Sequence, residues 1–319
     1  MKTYSKSRAK YAGIMVSLAA AAALFARDAA PEKTAKEAGI GGGASAERQN
    51  VEVVTKRDGD DIHFYVENRE LCEVTMTFDM ELINLKSTAQ FPYTASFPPG
   101  KSTQAFMLSA RVPNEKWGYD YTNYYKLGSC MATPDDVSYD LPYDTGTAFR
   151  VTQAYGGSFS HKGSNKYAID WKMPEGTLVR AARGGLVIKT KDDSNRGGAS
   201  MKYDRYNNYV LIRHEDGTLG HYCHLKKGGC LVKPGQVVKT GDPIARSGNT
   251  GFSSGAHLHF CVFKTKDGRE RESIPVKFKT SENEAATLVE GGNYLAGQSG
   301  SVSAQLTLPH TAAKGGVSQ

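Results

Sequence analysis

The sequence predicts an all-β protein, with an N-terminal β-sandwich-like domain followed by an antiparallel β domain with an open groove. Apolar and β-branched residues recur in short, strand-length runs, and glycine and Pro-Gly turns punctuate those runs. Long amphipathic helices are not evident, and half-buried strands without helices must pack sheet on sheet. A chain of 319 residues exceeds one typical domain, which argues for two globular units with non-globular ends.

Taken in order, residues 1–26 read as a secretory signal peptide. Lys2, Lys6, Arg8 and Lys10 form a basic region ahead of an apolar run at residues 14–26. The run is short of the roughly 20 residues that a membrane-spanning helix needs, so no stable span is expected after cleavage. The expected location is exported, either periplasmic or secreted. Losing the segment removes four basic residues and no acidic one, lowering the formal charge from +7 to +3 and removing the main support for a nucleic-acid partner.

Residues 27–50 are rich in Ala, Gly, Glu and Lys, with Gly41-Gly42-Gly43, and read as a flexible linker. Residues 51–140 carry strand-like runs at 51–54, 62–66 and 74–78. Asp58-Gly59 between the first two is a hairpin signal, and these residues form the sandwich-like accessory domain. Residues 141–280 continue with strand-like runs at 186–188, 209–213, 220–224 and 257–263. Residues 281–319 lose apolar content and read as a low-complexity tail. Five cysteines in an exported chain suggest up to two disulfides. Cys72 with Cys130 and Cys223 with Cys230 keep each pair within one domain, although spacing alone does not fix connectivity.

Five of the eight histidines fall in three short segments of the second domain. The first runs from His161 to Asp170, the second is Gly220-His221-Tyr222-Cys223-His224, and the third is His257-Leu258-His259. Side chains alternate along a strand, so His257 and His259 project into one groove while Leu258 projects away. Two imidazoles and a carboxylate satisfy the three-ligand count of a catalytic zinc site, whose open position takes water.

Together these segments resemble the lysostaphin-type, or LytM-like, zinc endopeptidases that cleave peptide bonds in peptidoglycan. That pattern has a His-to-Asp segment, a Tyr-x-His-Leu-like segment and a terminal His-x-His. The resemblance extends through residues 170–179, 233–242 and 247–251 and covers about residues 147–264. It implies one zinc ion per catalytic domain, held by His161, Asp170 and His259. It also implies that His224 and His257 lie beside the metal-activated water and the substrate, with the principal base left open between them. Tyr155 occupies a place where some members carry a tyrosine that stabilises the transition state, and a groove-wall aromatic is the equal alternative.

The implied activity is hydrolysis of a peptide bond in the cross-links or stem peptides of peptidoglycan. Two other readings stay open: a non-hydrolytic envelope protein that binds or regulates other enzymes, and a zinc peptidase acting on envelope proteins. The chain departs from the compact family motif in one respect. Eight residues separate His161 from Asp170 where the motif has three, so a loop is expected around residues 163–167. By strand alternation His221 faces away from His224. His63, His214 and His310 read as ordinary histidines, and Cys261 reads as packing. Residues 192–208 read equally as a loop beside the groove that helps choose the substrate peptide or as a plain surface connection.

Overall fold

The structure is a computed structural model, and it describes residues 9–13 and 50–297. The proposed linker lies outside the described residues except for Asn50. So does the proposed signal segment except for Ala9–Gly13, whose backbone pairs with Trp117–Leu127. Among the described residues no helix is long and apolar enough to cross a membrane.

Asp58 and Asp61 pair across a tight turn in which Gly59 takes φ +58°, the left-handed geometry that Asp-Gly favours. The hairpin Val51–Asp58 and Asp61–Asn68 extends through Lys101–Ala110 to Leu85–Ser87 as one four-stranded sheet. A second sheet runs Ala9–Gly13, Trp117–Leu127, Val74–Ile83, Tyr93–Phe97. Between the two sheets Phe64, Phe78 and Phe106 pack without solvent exposure or nearly so. Phe64 stacks on Phe106 at 4.7 Å, and Phe78 meets Phe106 edge-on at 5.2 Å. The expected sandwich is therefore present.

The second domain is built on a nine-stranded sheet. Its main path runs Val237–Val238, Gly185–Lys191, Tyr209–Arg213, Leu219–Cys223, His257–Thr265, Ile169–Lys172, Ala148–Gln153, Asn293–Leu295. All pairings along that path are antiparallel. One face buries Trp171, Tyr222, Leu258 and Phe260 against Val179, Ile244, Ala245 and Phe278. The other face, carried by the alternate residues, holds Asp170, His257 and His259.

Two expected boundaries are corrected. Ser138–Asp140 pairs with Lys277–Lys279, and Tyr139 is 2% exposed inside the second core, so the second domain begins before residue 141. Residues 281–297 are not low-complexity tail. Leu288 and Ala296 are buried in the same core, and Asn293–Leu295 completes the sheet edge beside Ala148–Gln153. A few apolar residues are enough there, because the edge strand supplies backbone hydrogen bonds more than side-chain volume.

The favoured cysteine pairs are also corrected, since all five thiols are free. Cys130 Sγ lies 3.2 Å from Ser96 Oγ, Cys72 Sγ donates to the Glu73 carbonyl, and Cys230 Sγ faces the Lys191 and Tyr209 carbonyls. Cys223 Sγ lies 3.3 Å from the His221 ring nitrogens.

The two domains meet through the far end of the histidine-bearing strand. The turn after His257–Thr265 docks on the sandwich, where Gly268 N–H donates to Thr77 Oγ1 at 2.9 Å. A Cβ at Gly268 would lie 2.1 Å from the Tyr124 carbonyl oxygen, so only glycine fits. Arg269 pairs with Asp79, its guanidinium 4.3 Å from the Tyr124 ring centre, and Arg213 binds Glu73 through two 2.8 Å hydrogen bonds.

Candidate metal centre

Pairing register brings the first two groups together. Asp170 lies directly opposite His259 in the antiparallel pair of Ile169–Lys172 and His257–Thr265, so both side chains share the groove face. His259 Nδ1 donates to Asp170 Oδ1 at 2.8 Å. His161 arrives from the loop before Ile169, its ring 5.3 Å from that of His259 and its Nε2 3.1 Å from Asp170 Oδ2. Among the described residues, His161, Asp170 and His259 form the one group whose donor atoms could hold a metal ion, each within 4.8 Å of the others. All three are buried, at 0%, 6% and 7% exposure.

The long His161-to-Asp170 spacing is absorbed by a single turn of 3-10 helix at Gly163–Asn165 and by one glutamine. Gln153 Nε2 donates to Asp170 Oδ2 at 2.9 Å and to Ser160 Oγ at 2.8 Å, and its Oε1 accepts the Phe159 and Ser160 N–H groups at 3.0 Å each. The clamp ties the carboxylate to the start of the His161 loop. Strand alternation does not reveal Gln153, because a bulge between Val151 and Gln153 resets the facing.

Backbone carbonyls fix the imidazole tautomers. A carbonyl only accepts, so Nδ1 carries the proton wherever it faces one. His161 Nδ1 donates to the Ala154 carbonyl at 2.8 Å, which leaves Nε2 as a lone pair. That Nε2 is buried without a hydrogen-bond partner despite its closeness to Asp170, because the contact is out of line for a hydrogen bond. A buried, unpartnered nitrogen lone pair aimed at a carboxylate and a second imidazole suits a cation. The His2Asp donor set suits zinc.

His224 and His257 complete the cluster. Their ring centres lie 4.6 Å apart, and His224 is 5.6 Å from His259. His224 Nδ1 donates to the Thr250 carbonyl at 2.7 Å and its backbone N–H to Asn207 Oδ1 at 2.9 Å. His257 Nδ1 donates to the Gly255 carbonyl at 2.8 Å, with Ser253 Oγ 3.1 Å away. Each therefore presents a basic Nε2. His224 takes φ +63° just past the end of Leu219–Cys223, and this left-handed turn swings its ring onto the groove face.

Burial dominates the electrostatics. It pushes the His224 and His259 pKa values down; neighbouring imidazoles add to the shift at His224, while the Asp170 charge opposes it at both. At Asp170 burial is the largest influence and acts upward, but the nearby His259, its hydrogen bond and the closeness of His161 outweigh it and hold the carboxyl well below its usual range.

Two expectations change, and the reading of Cys261 holds. Tyr155 does not face the cluster with a free hydroxyl, because that hydroxyl donates to the Val276 carbonyl and accepts the Val276 N–H at 3.0 Å. It is a wall residue held by both backbone bonds. His221 shares the groove face rather than facing away, since it lies opposite Cys261 and Cys223 lies opposite His259. Simple alternation misplaces it because His224 lies beyond the end of the strand. Cys261 is buried and its thiol donates to the Val262 carbonyl at 3.6 Å. Burial pushes its pKa up to about 11, so it stays a neutral packing thiol. His310 lies outside the described residues.

Comparison with known proteins finds similarity within the second domain. Residues 164–271 match the family described as Peptidase family M23. The match lies wholly within the second domain and includes Asp170, His224, His257 and His259.

Similar curated proteins include an uncharacterized metalloprotease of Buchnera aphidicola, 38% identical over 105 residues, which are 33% of this chain and 25% of that protein. The peptidoglycan DD-endopeptidase ShyA of Vibrio cholerae is 40% identical over 91 residues, 28% of this chain and 18% of ShyA. Lysostaphin of Staphylococcus simulans is 37% identical over 98 residues, 31% of this chain and 18% of lysostaphin. The chain thus covers a quarter or less of the length of these relatives. Among solved structures, the catalytic domain of Staphylococcus simulans lysostaphin aligns over 40% of this chain and 87% of that chain, with 24% identity and a TM-score of 0.29. M23 peptidases use zinc, and the His161, Asp170 and His259 donor set fits it.

Proposed function

We propose that the protein is an exported zinc-dependent endopeptidase that hydrolyses a peptide bond in the cross-links or stem peptides of peptidoglycan. The observation that carries this reading is the arrangement of five groups on one sheet face. His161, Asp170 and His259 would hold zinc, while His224 and His257 stand beside them with Nδ1 tied to carbonyls and Nε2 available. Bound there, zinc supplies the Lewis acidity that lets water attack a carbonyl near neutral pH.

The protein's own groups then act by position. Either Nε2 takes the proton that the attacking water loses, and that same proton passes on to the leaving amine, directly or by way of the neighbouring imidazole 4.6 Å away between ring centres. Burial keeps His224 neutral, so its Nε2 lone pair is unprotonated when the water is bound. Gln153 holds Asp170 in place, and Thr250 and Gly255 hold the two bases. Relatives named as peptidoglycan DD-endopeptidase and lysostaphin support the choice of substrate. The basic region and apolar run within residues 1–26 support export.

Digestion of purified peptidoglycan with the zinc-loaded protein, followed by fragment analysis, tests the reading. New free termini in the stem or bridge peptides are expected. Intact peptides after exposure to fully zinc-loaded protein would overturn it.

A further inference from the structure

This inference rests on the proposed activity and names what its substrate must carry. Gly197–Gly198 runs parallel to Gly251–Phe252, and the Gly251 N–H donates to the Arg196 carbonyl at 2.9 Å. That places residues 196–207 along the segment whose Thr250 and Gly255 carbonyls orient His224 and His257. Asn207, at the end of the same loop, accepts the His224 N–H. The loop is therefore an edge of the catalytic cleft and not a remote surface connection.

Two exposed cations converge on that edge. Arg196 Nη1 donates to Tyr206 Oη at 2.6 Å, and Arg205 Nη2 donates to the same oxygen at 2.8 Å. Their guanidinium carbons lie 4.2 Å and 4.8 Å from the Tyr206 ring centre. One neutral phenol thus gathers two like charges. Water screens part of their repulsion, and an anion beside the two would relieve the rest.

Among the described residues no carboxylate pairs with either arginine. Asp193 is engaged with Lys191, and Asp192 accepts the Cys230 N–H. Each guanidinium has five N–H donors in a planar fork, and the phenol uses one from each. What remains is a fork-shaped, doubly cationic, solvent-facing surface on the loop that runs beside the segment orienting His224 and His257. Carboxylate matches that shape and charge.

We propose that Arg196, Arg205 and Tyr206 form a subsite that binds a free carboxylate of the substrate peptide, on the His224 side of the bond to be cut. The enzyme thereby selects peptides in which that carboxylate is left ionised over peptides in which it is amidated.

The test uses the zinc-loaded full chain and a set of soluble cross-linked peptides in which each free carboxylate in turn is replaced by its amide. For one member of the set, amidation is expected to raise KM roughly tenfold, the size of one charge-assisted contact, with kcat unchanged and with the difference shrinking as salt rises. In Arg196→Gln/Arg205→Gln the preference disappears while zinc content and the circular dichroism spectrum stay as in the intact protein. Equal KM across the whole set for the intact protein overturns the inference and leaves the proposed activity standing. So does an undiminished preference in the double variant. If no peptide is cut, the proposed activity falls, and calorimetric Kd values for the same set decide the subsite. A tenfold preference supports it, and equal values overturn it.

Discussion

Gln153 Nε2 donates to Asp170 Oδ2 at 2.9 Å while its Oε1 accepts the N–H groups of Phe159 and Ser160. One amide thereby connects a proposed metal ligand to the loop that delivers another, His161. Partners of this kind set ligand orientation, and losing them commonly costs about 10- to 100-fold in metal affinity. Gln153→Ala is expected to weaken zinc binding by about that factor in a chelator competition, with the β-rich circular dichroism spectrum retained. Affinity within twofold of the intact protein would remove Gln153 from the site.

The two histidines of the His-x-His strand separate by role. His259 lies against Asp170 within the three-residue group, whereas His257 Nε2 is 4.0 Å from Asp170 Oδ1 and lies outside that group. His259→Ala and Asp170→Ala should lose both stoichiometric zinc and hydrolysis. His257→Ala should keep zinc and lose roughly 100-fold or more in kcat, the contribution typical of a proton-transfer group. Metal analysis alongside turnover checks this, and zinc loss in His257→Ala would reassign it as a ligand.

A buried histidine away from the site predicts acid sensitivity. His214 is fully buried, with Nδ1 donating to the Gly184 carbonyl, and burial lowers its pKa from 6.5 to about 4. The unfolded chain binds this proton at higher pH than the folded chain does. Its contribution is therefore present above pH 6.5 and is lost as pH falls toward 4. A shift of that size is worth about 3 kcal/mol. Urea unfolding at several pH values should show a shallower acid decline for His214→Gln than for the intact protein, and identical declines would refute the assignment.

Contact between the domains depends on the absence of a side chain at residue 268. A methyl group there would lie 2.1 Å from the Tyr124 carbonyl oxygen and 2.6 Å from the Thr77 nitrogen, so Gly268→Ala must push the turn off the sandwich. A loss of about 1–3 kcal/mol is expected, the range for overpacking a close contact. Limited proteolysis should then cut near residues 128–137, between the sandwich and the second domain, faster than in the intact protein. Unchanged cleavage and an unchanged Tm would show that the contact is dispensable.

Strand alternation, turn chemistry and the spacing of polar donors are local properties, and they are legible in the sequence. The Asp58-Gly59 hairpin, the His257/His259 shared face and the all-β class all follow from a period of two and from glycine's tolerance of positive φ. Tertiary structure decided whatever depends on partners distant in the chain or on breaks in that period. The bulge before Gln153 and the left-handed His224 both interrupt alternation, which is why a period of two hides Gln153 and puts His221 on the wrong face. Tyr155 reads as available from its neighbours alone, but Val276, 121 residues later, takes both hydrogen bonds of its hydroxyl. Residues 281–297 read as too polar to fold, yet an edge strand needs mainly an open backbone ladder, and Ala148–Gln153 provides it. The identities of the donors are thus written in the sequence. Their convergence on one point, and the carbonyls that fix which nitrogen of each ring is free, came from pairing register and loop closure, because those place atoms that no local pattern relates.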